Sequence, residues 1–220
     1  MPVASAFDRV AWIYDFVMDG ILGHYEKTAR IVWAALGAPV QPLLLDMGGG
    51  TGGVSAHLIR RGARVVLLEL APSLLRRCPP GVVPLLGDGC RLPLADASVD
   101  GALVVLTLHH MADPDRALEE RARVVRPGGV VVVIEKAPPA AGDVRGRVVH
   151  WAEQLLFGPL RCVPPAQLQA RLEAVGFAPK HLFRFGYVIR ARRLPVAAGH
   201  RGPVGVTQGG EEGDRARRAA

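Results

Sequence analysis

Glycine fills every position but one from Gly48 to Gly53, directly after the apolar run Leu43-Leu44-Leu45-Asp46-Met47. Without β-carbons a backbone can turn sharply and approach a ligand closely, and a helix starting there offers unpaired N–H groups. A buried strand, a glycine turn and a helix in succession form the opening unit of an open α/β sheet. Such sheets bind ligands at the carboxyl ends of their strands.

The rest of the chain continues that unit. Apolar runs at Leu43 to Met47, Arg64 to Leu68, Val82 to Leu86, Gly101 to Leu106 and Val130 to Glu135 alternate with helical patterns. Continuous runs of this kind suit strands buried on both faces of a parallel sheet, with helices as crossovers. The expected fold is therefore α/β, doubly wound and mostly parallel. Asp113 and Pro114 mark the start of the helix after the fourth strand, and Arg126-Pro127-Gly128-Gly129 its end. Two helices are expected in residues 1–38, the second from about His24 to Leu36, as a helical lid. Residues 138–165 read as a less regular insertion beside the substrate. A helix from Ala166 to Val175 and two short strands, His181 to Phe185 and Tyr187 to Arg192, close a single domain of residues 1–194. The stretch 195–220 has no apolar period and is expected to be a disordered tail.

Half of the 220 residues are hydrophobic, enough for a sizeable core. No apolar run approaches the ~18 residues of a membrane span, and the first residues do not read as a signal peptide. Cys78, Cys90 and Cys162 lack metal-ligand spacing and fit a reducing compartment, so the cytoplasm is the expected location. The formal charge is +7, but the basic residues are scattered arginines with only Lys27, Lys136 and Lys180. That scatter argues against a nucleic-acid partner and leaves room for a homodimer.

The glycine turn also satisfies G-x-G-x-x-G through Gly48, Gly50 and Gly53, with Glu69 beyond it, so a nicotinamide oxidoreductase is a rival. Three features favour S-adenosylmethionine. Asp46 lies where a carboxylate can meet a cationic amino-acid end and would repel a pyrophosphate. Gly87-Asp88 closes the third strand with an acceptor for an adenine amino group. Two helices precede a motif that a nucleotide domain places early.

Asp46-x-Gly48-x-Gly50-x-Gly52 resembles the first motif of class I S-adenosylmethionine-dependent methyltransferases, of the type 11-like kind. Glu69 matches that family's acid after strand two, which holds both ribose hydroxyls, and Asp88 its adenine-contacting acid. The resemblance spans residues 5 to 192 and implies a seven-stranded, Rossmann-like sheet with an antiparallel last strand. Leu70, Gly89 and Leu106, next to these positions, and Tyr14 complete the expected cofactor site.

Methyl transfer needs chiefly alignment of nucleophile, carbon and sulfur. A base helps only where the nucleophile carries a proton, and His109 and His110 after strand four are the candidates. His150 and Glu135 stand further off. The Asp- or Asn-Pro-Pro-aromatic motif of base-amino methyltransferases is missing after strand four, where Leu106 to His110 stand instead. Phe7-Asp8-Arg9-Val10-Ala11 with Tyr14-Asp15 resembles the opening of quinone-biosynthesis and phospholipid-headgroup methyltransferases. Together with Trp151, Leu155, Leu156 and Phe157, it points to a small aromatic, quinone-like or lipid-like acceptor. A nucleic-acid methyltransferase and a non-catalytic cofactor binder are the alternatives.

Overall fold

The computed structural model describes residues 3–12, 14–16, 25–140, 142–158, 160–181 and 187–195. His24, residues 182–186 and the expected tail from 196 onward lie outside them. The described elements run α1 (Val3–Val10), α2 (Tyr25–Leu36), β1 (Leu43–Met47), α3 (Gly53–Ile59), β2 (Arg64–Glu69), α4 (Pro72–Leu75) and β3 (Val82–Leu86). There follow β4 (Val99–Val105), α5 (Pro114–Val124), β5 (Val125–Glu135), α6 (Val144–Phe157), α7 (Pro165–Ala174), β6 (Phe177–His181) and β7 (Tyr187–Arg193).

Seven strands form one sheet in the order β3-β2-β1-β4-β5-β7-β6. The pairs among β1 to β5 are parallel, and β7 runs antiparallel to both β5 and β6. Chain order reverses between β1 and β4, so the loops after these strands part at the carboxyl edge and open a crevice. Successive residues of a strand face opposite layers. Leu45, Ala102 and Val131 pack with Leu118, Leu168 and Leu172 of α5 and α7. Leu44, Leu103 and Val132 pack on the other side with Ala29, Val32, Val54 and Leu58 of α2 and α3. Both faces of the central strands are therefore dry, which explains their unbroken apolar runs. Among the described residues, no helix is long and apolar enough to cross a membrane.

The Asp113 side chain caps α5 by accepting from Arg116 N at 3.0 Å, with Pro114 in the first turn, as expected. Three expectations change. The stretch after β5 is not irregular, because α6 occupies much of it, started by Asp143 accepting from Gly146 N at 2.8 Å. Arg126 to Gly129 do not separate helix from strand; they lie inside β5, opposite a register shift between Val99 and Gly101 of β4. Among the described residues the penultimate strand starts earlier than expected, running Phe177–His181, while 182–185 of the expected His181 to Phe185 lie outside the described residues. It lies at the sheet's end, where Pro179 is tolerated.

Candidate functional site

Sheet order brings the ends of β1, β2 and β4 together around the glycine turn. Asp46, near the end of β1, is buried, and Ser55 Oγ of α3 donates to its Oδ2 at 2.5 Å. Burial pushes its carboxyl up to about 6, against the Ser55 bond and with the Glu69 charge adding to the rise. Glu69 ends β2 and is engaged on both oxygens. Oε2 accepts from Gly50 N at 3.0 Å, and Oε1 accepts from Leu70 N and Ala71 N at 2.8 and 2.9 Å. Burial raises its pKa while these three backbone bonds oppose the rise.

Gly48 and Gly50 in this turn are required by geometry. Gly48 has φ 66°, and a β-carbon on it would meet Thr107 Cγ2 at 2.1 Å. Thr107 in turn donates to Gly48 O at 3.0 Å, tying the turn to the end of β4. Gly50 has φ 61°, and its β-carbon would meet the Tyr14 hydroxyl at 2.6 Å. Gly52 precedes α3 and accepts from Ala56 N at 2.9 Å. Leu106 takes a left-handed backbone, φ 51°, while its N–H donates to Ile134 O at 2.8 Å. A non-glycine residue held there is strained, a feature that clusters at functional sites. Gly89 lies against Met47 and Met111, and Leu70 is half-exposed. Asp88 is exposed, with Oδ1 accepting from Cys90 N at 2.9 Å.

The N-terminal segment lies on this edge. Asp15 accepts from Thr51 Oγ1 in the turn and from the Tyr25 hydroxyl of α2, and pairs with Arg77 beyond α4 at 2.8 Å. Arg77 Nη1 also donates to Ala11 O at 2.9 Å, and Asp8 accepts from Ser73 N at 3.0 Å. Tyr14 is thereby held against Gly50, where burial and the Glu69 charge keep its hydroxyl protonated. Sequence reasoning gave Asp15, Thr51, Ser55 and Thr107 no role. The Tyr14-Asp15 pair was visible; its partners are distant in the chain.

The β4–β5 edge holds the two histidines in different settings. His109 is buried, its Nδ1 2.6 Å from Glu135 Oε1, the oxygen that also accepts from Lys136 N. A carboxylate on Nδ1 fixes that nitrogen as the protonated one. His110 packs on His109, with ring centroids 4.1 Å apart, and edge-on to Phe7 of α1 at 5.1 Å. Burial, with His109 and Lys136 adding, pushes His110 down to about 3, so its imidazole is neutral. His150 lies apart from this pair, 3.1 Å from Gln154 Nε2 and near Cys162. Trp151 and Leu155, expected beside the acceptor, are exposed on the outer face of α6. Side-chain positions of Leu156 and Phe157 lie outside the described residues.

The family model described as a methyltransferase domain matches residues 45–133. The demethylmenaquinone methyltransferase of Streptomyces griseus is 34% identical over 168 residues, 74% of this chain and 70% of that protein. The chain belongs to the class I S-adenosylmethionine-dependent methyltransferase family. The demethylmenaquinone methyltransferases of Renibacterium salmoninarum and Paenarthrobacter aurescens are 35% and 36% identical, and the chain spans 62% and 56% of their lengths. A SAM-dependent methyltransferase of Thermotoga maritima shares the family fold with a TM-score of 0.69 at 21% identity, covering 86% of this chain and 99% of that one. Geranyl diphosphate C-methyltransferase of Streptomyces coelicolor, solved with S-adenosyl-L-homocysteine, aligns at 0.65 and 16%, covering 76% of this chain and 79% of that one.

Proposed function

We propose that this chain transfers a methyl group from S-adenosylmethionine to a small apolar acceptor of quinone-like or other aromatic character. What carries the reading is the 34% identity to a demethylmenaquinone methyltransferase across 70% of that protein. The residues fit the cofactor on physical grounds. Asp46 offers a buried carboxylate beside the turn, suited to an ammonium and hostile to a pyrophosphate. Gly48 and Gly50 leave room that side chains would fill. An ionised carboxylate has about four acceptor positions, and Glu69 spends three on backbone donors, leaving Oε2 one place for a ribose hydroxyl. Asp88 keeps Oδ2 for an adenine amino group. The bound cofactor supplies an electrophilic methyl on a sulfonium; the protein's part is alignment and exclusion of water.

The N-terminal segment, fastened through Asp8 and Asp15, roofs the turn and brings Phe7 against His110. A neutral His110 is suited to orient an acceptor hydroxyl by hydrogen bonding rather than to hold its proton. His109, backed by Glu135, is the group placed to share a proton.

Calorimetry should show S-adenosylhomocysteine binding and no binding of NAD. In Glu69→Ala the affinity should fall by about 1.5–3 kcal/mol, the range for hydrogen bonds to a charged group. Tighter binding of NAD, or full affinity in a folded Glu69→Ala variant, refutes the assignment.

A further inference from the structure

Helix α6 is built inside out. Val144, Val148, Trp151 and Leu155 recur at helical spacing on one stripe, and all four are exposed, Trp151 at 63% and Leu155 at 73%. Glu153 and His150 turn toward the body instead. Glu153 pairs with Lys136 at the end of β5, and His150 sits beside Cys162. A surface helix normally buries its apolar stripe and wets its polar one. Reversal leaves a stripe in want of a cover.

The charges say which cover fits. On a helical wheel Arg147 falls on one side of the stripe and Arg145 on the other, both exposed. Glu153 is the one acid between Val144 and Leu155, and it faces inward on Lys136. Asp143, at the helix start, is spent on Gly146 N. An apolar ridge containing a tryptophan and flanked by arginines is the make-up of a helix lying in the plane of an anionic lipid surface. A second copy would fit worse, since a two-fold contact sets the same arginines against one another. Trp12 and Phe16, 76% and 82% exposed, follow α1, which packs against α6.

We infer that α6 docks this protein on anionic lipid bilayers through Val144, Val148, Trp151 and Leu155, with Arg145 and Arg147 meeting the headgroups. The docked helix stands at the edge that carries the histidines. Arg161 N, just beyond α6, donates to His109 O at 2.8 Å. An acceptor dissolved in the membrane would therefore reach the crevice without crossing water. The lipid contact stands on the helix face alone; its use in delivering an acceptor rests on the proposed methyl transfer.

Co-sedimentation of the full chain with vesicles tests this. The protein should pellet with phosphatidylcholine–phosphatidylglycerol vesicles, less with phosphatidylcholine alone, and less again at high salt. Arg145→Gln/Arg147→Gln should weaken pelleting by roughly thirtyfold, at about 1 kcal/mol per arginine near an anionic surface, and Trp151→Ser/Leu155→Ser should weaken it by at least roughly tenfold through the lost apolar contact. Circular dichroism and S-adenosylhomocysteine affinity should stay at wild-type values, since these side chains are exposed and remote from the glycine turn. Loss of cofactor binding in the wild type would sink the methyltransferase reading and leave the lipid result standing. The inference is overturned if the wild type stays in solution with the mixed vesicles, or if both double variants pellet as it does. A concentration-dependent dimer abolished by Trp151→Ser/Leu155→Ser would overturn it too, marking the face as a contact between copies.

Discussion

The carboxyl ends of β2 and β5 each finish on a buried glutamate, and the two are treated differently. Glu69 accepts three backbone N–H groups from residues 50, 70 and 71 and uses both oxygens. Glu135 uses Oε1 for His109 and Lys136, while its Oε2 is buried with no hydrogen-bond partner. Nearby Arg121 is buried as well, with Nε and Nη1 unpartnered and Nη2 reaching only Met111 Sδ at 3.9 Å. The proposed cofactor edge is thus held in shape by its own backbone before any ligand arrives. At the proposed acceptor edge polar capacity is left over, and alignment there depends on side chains.

The comparison predicts its largest effect at Glu69. Glu69→Leu strands three donors that a charged acceptor had satisfied, and should cost about 4.5 kcal/mol in urea unfolding at roughly 1.5 kcal/mol per bond. Glu135→Gln, which can keep one acceptor for His109, should cost clearly less. Equal losses would erase the distinction between the two edges.

The same contrast separates what could be read from the sequence. β1 and β3 were legible to the residue, because their apolar runs, interrupted only by Asp46 and Pro84, are bounded by glycine or proline. β4 begins earlier than expected, at Val99, since Asp100 interrupts the run while its carboxylate accepts from Leu43 N at 2.7 Å. Helix α6 escaped notice because Gly146 and the β-branched Val144, Val148 and Val149 lower its propensity. Asp46, Glu69 and the glycine turn were legible because each sits at a strand end within a short motif. Asp15 was not, because Thr51, Tyr25 and Arg77 meet it only in the fold.

A middle-sized effect belongs to pH. Asp46 is carried by burial from an ordinary carboxylate value of 3.8 to about 6. The folded chain then keeps a proton that the unfolded chain releases. The contribution of Asp46 to stability should be largest below the ordinary carboxylate range, fall as pH rises toward 6, and level off above it. The loss is roughly 3 kcal/mol for a shift of this size. Urea titrations across that window should show the slope, and Asp46→Asn should flatten it. S-adenosylhomocysteine affinity should run the opposite way, rising as Asp46 ionises to meet the ligand's ammonium. Affinity that is flat through pH 6 would remove Asp46 from the amino-acid end of the cofactor.

The smallest expected effect has the reverse sign and lies at Arg121. Burial lowers its pKa to about 9, with Cys90 and Glu135 opposing that fall, so it is charged at neutral pH. An unpaired buried N–H costs about 1–3 kcal/mol, whereas an apolar residue of similar volume at such a site is often neutral or stabilising. Methionine matches the length of the arginine stem and adapts to irregular gaps. Against that gain stands the lost attraction to Glu135, whose free oxygen would then have no positive charge near it on that side. The two largely cancel, and Arg121→Met should raise stability by about 1 kcal/mol. A fall of similar size would mean that a buried water joins the guanidinium to Glu135 Oε2, as such waters do where several polar groups converge. The acceptor edge would then be as fully satisfied as the cofactor edge, and the difference between the two glutamates would lie in who supplies the donors: backbone at Glu69, solvent at Glu135.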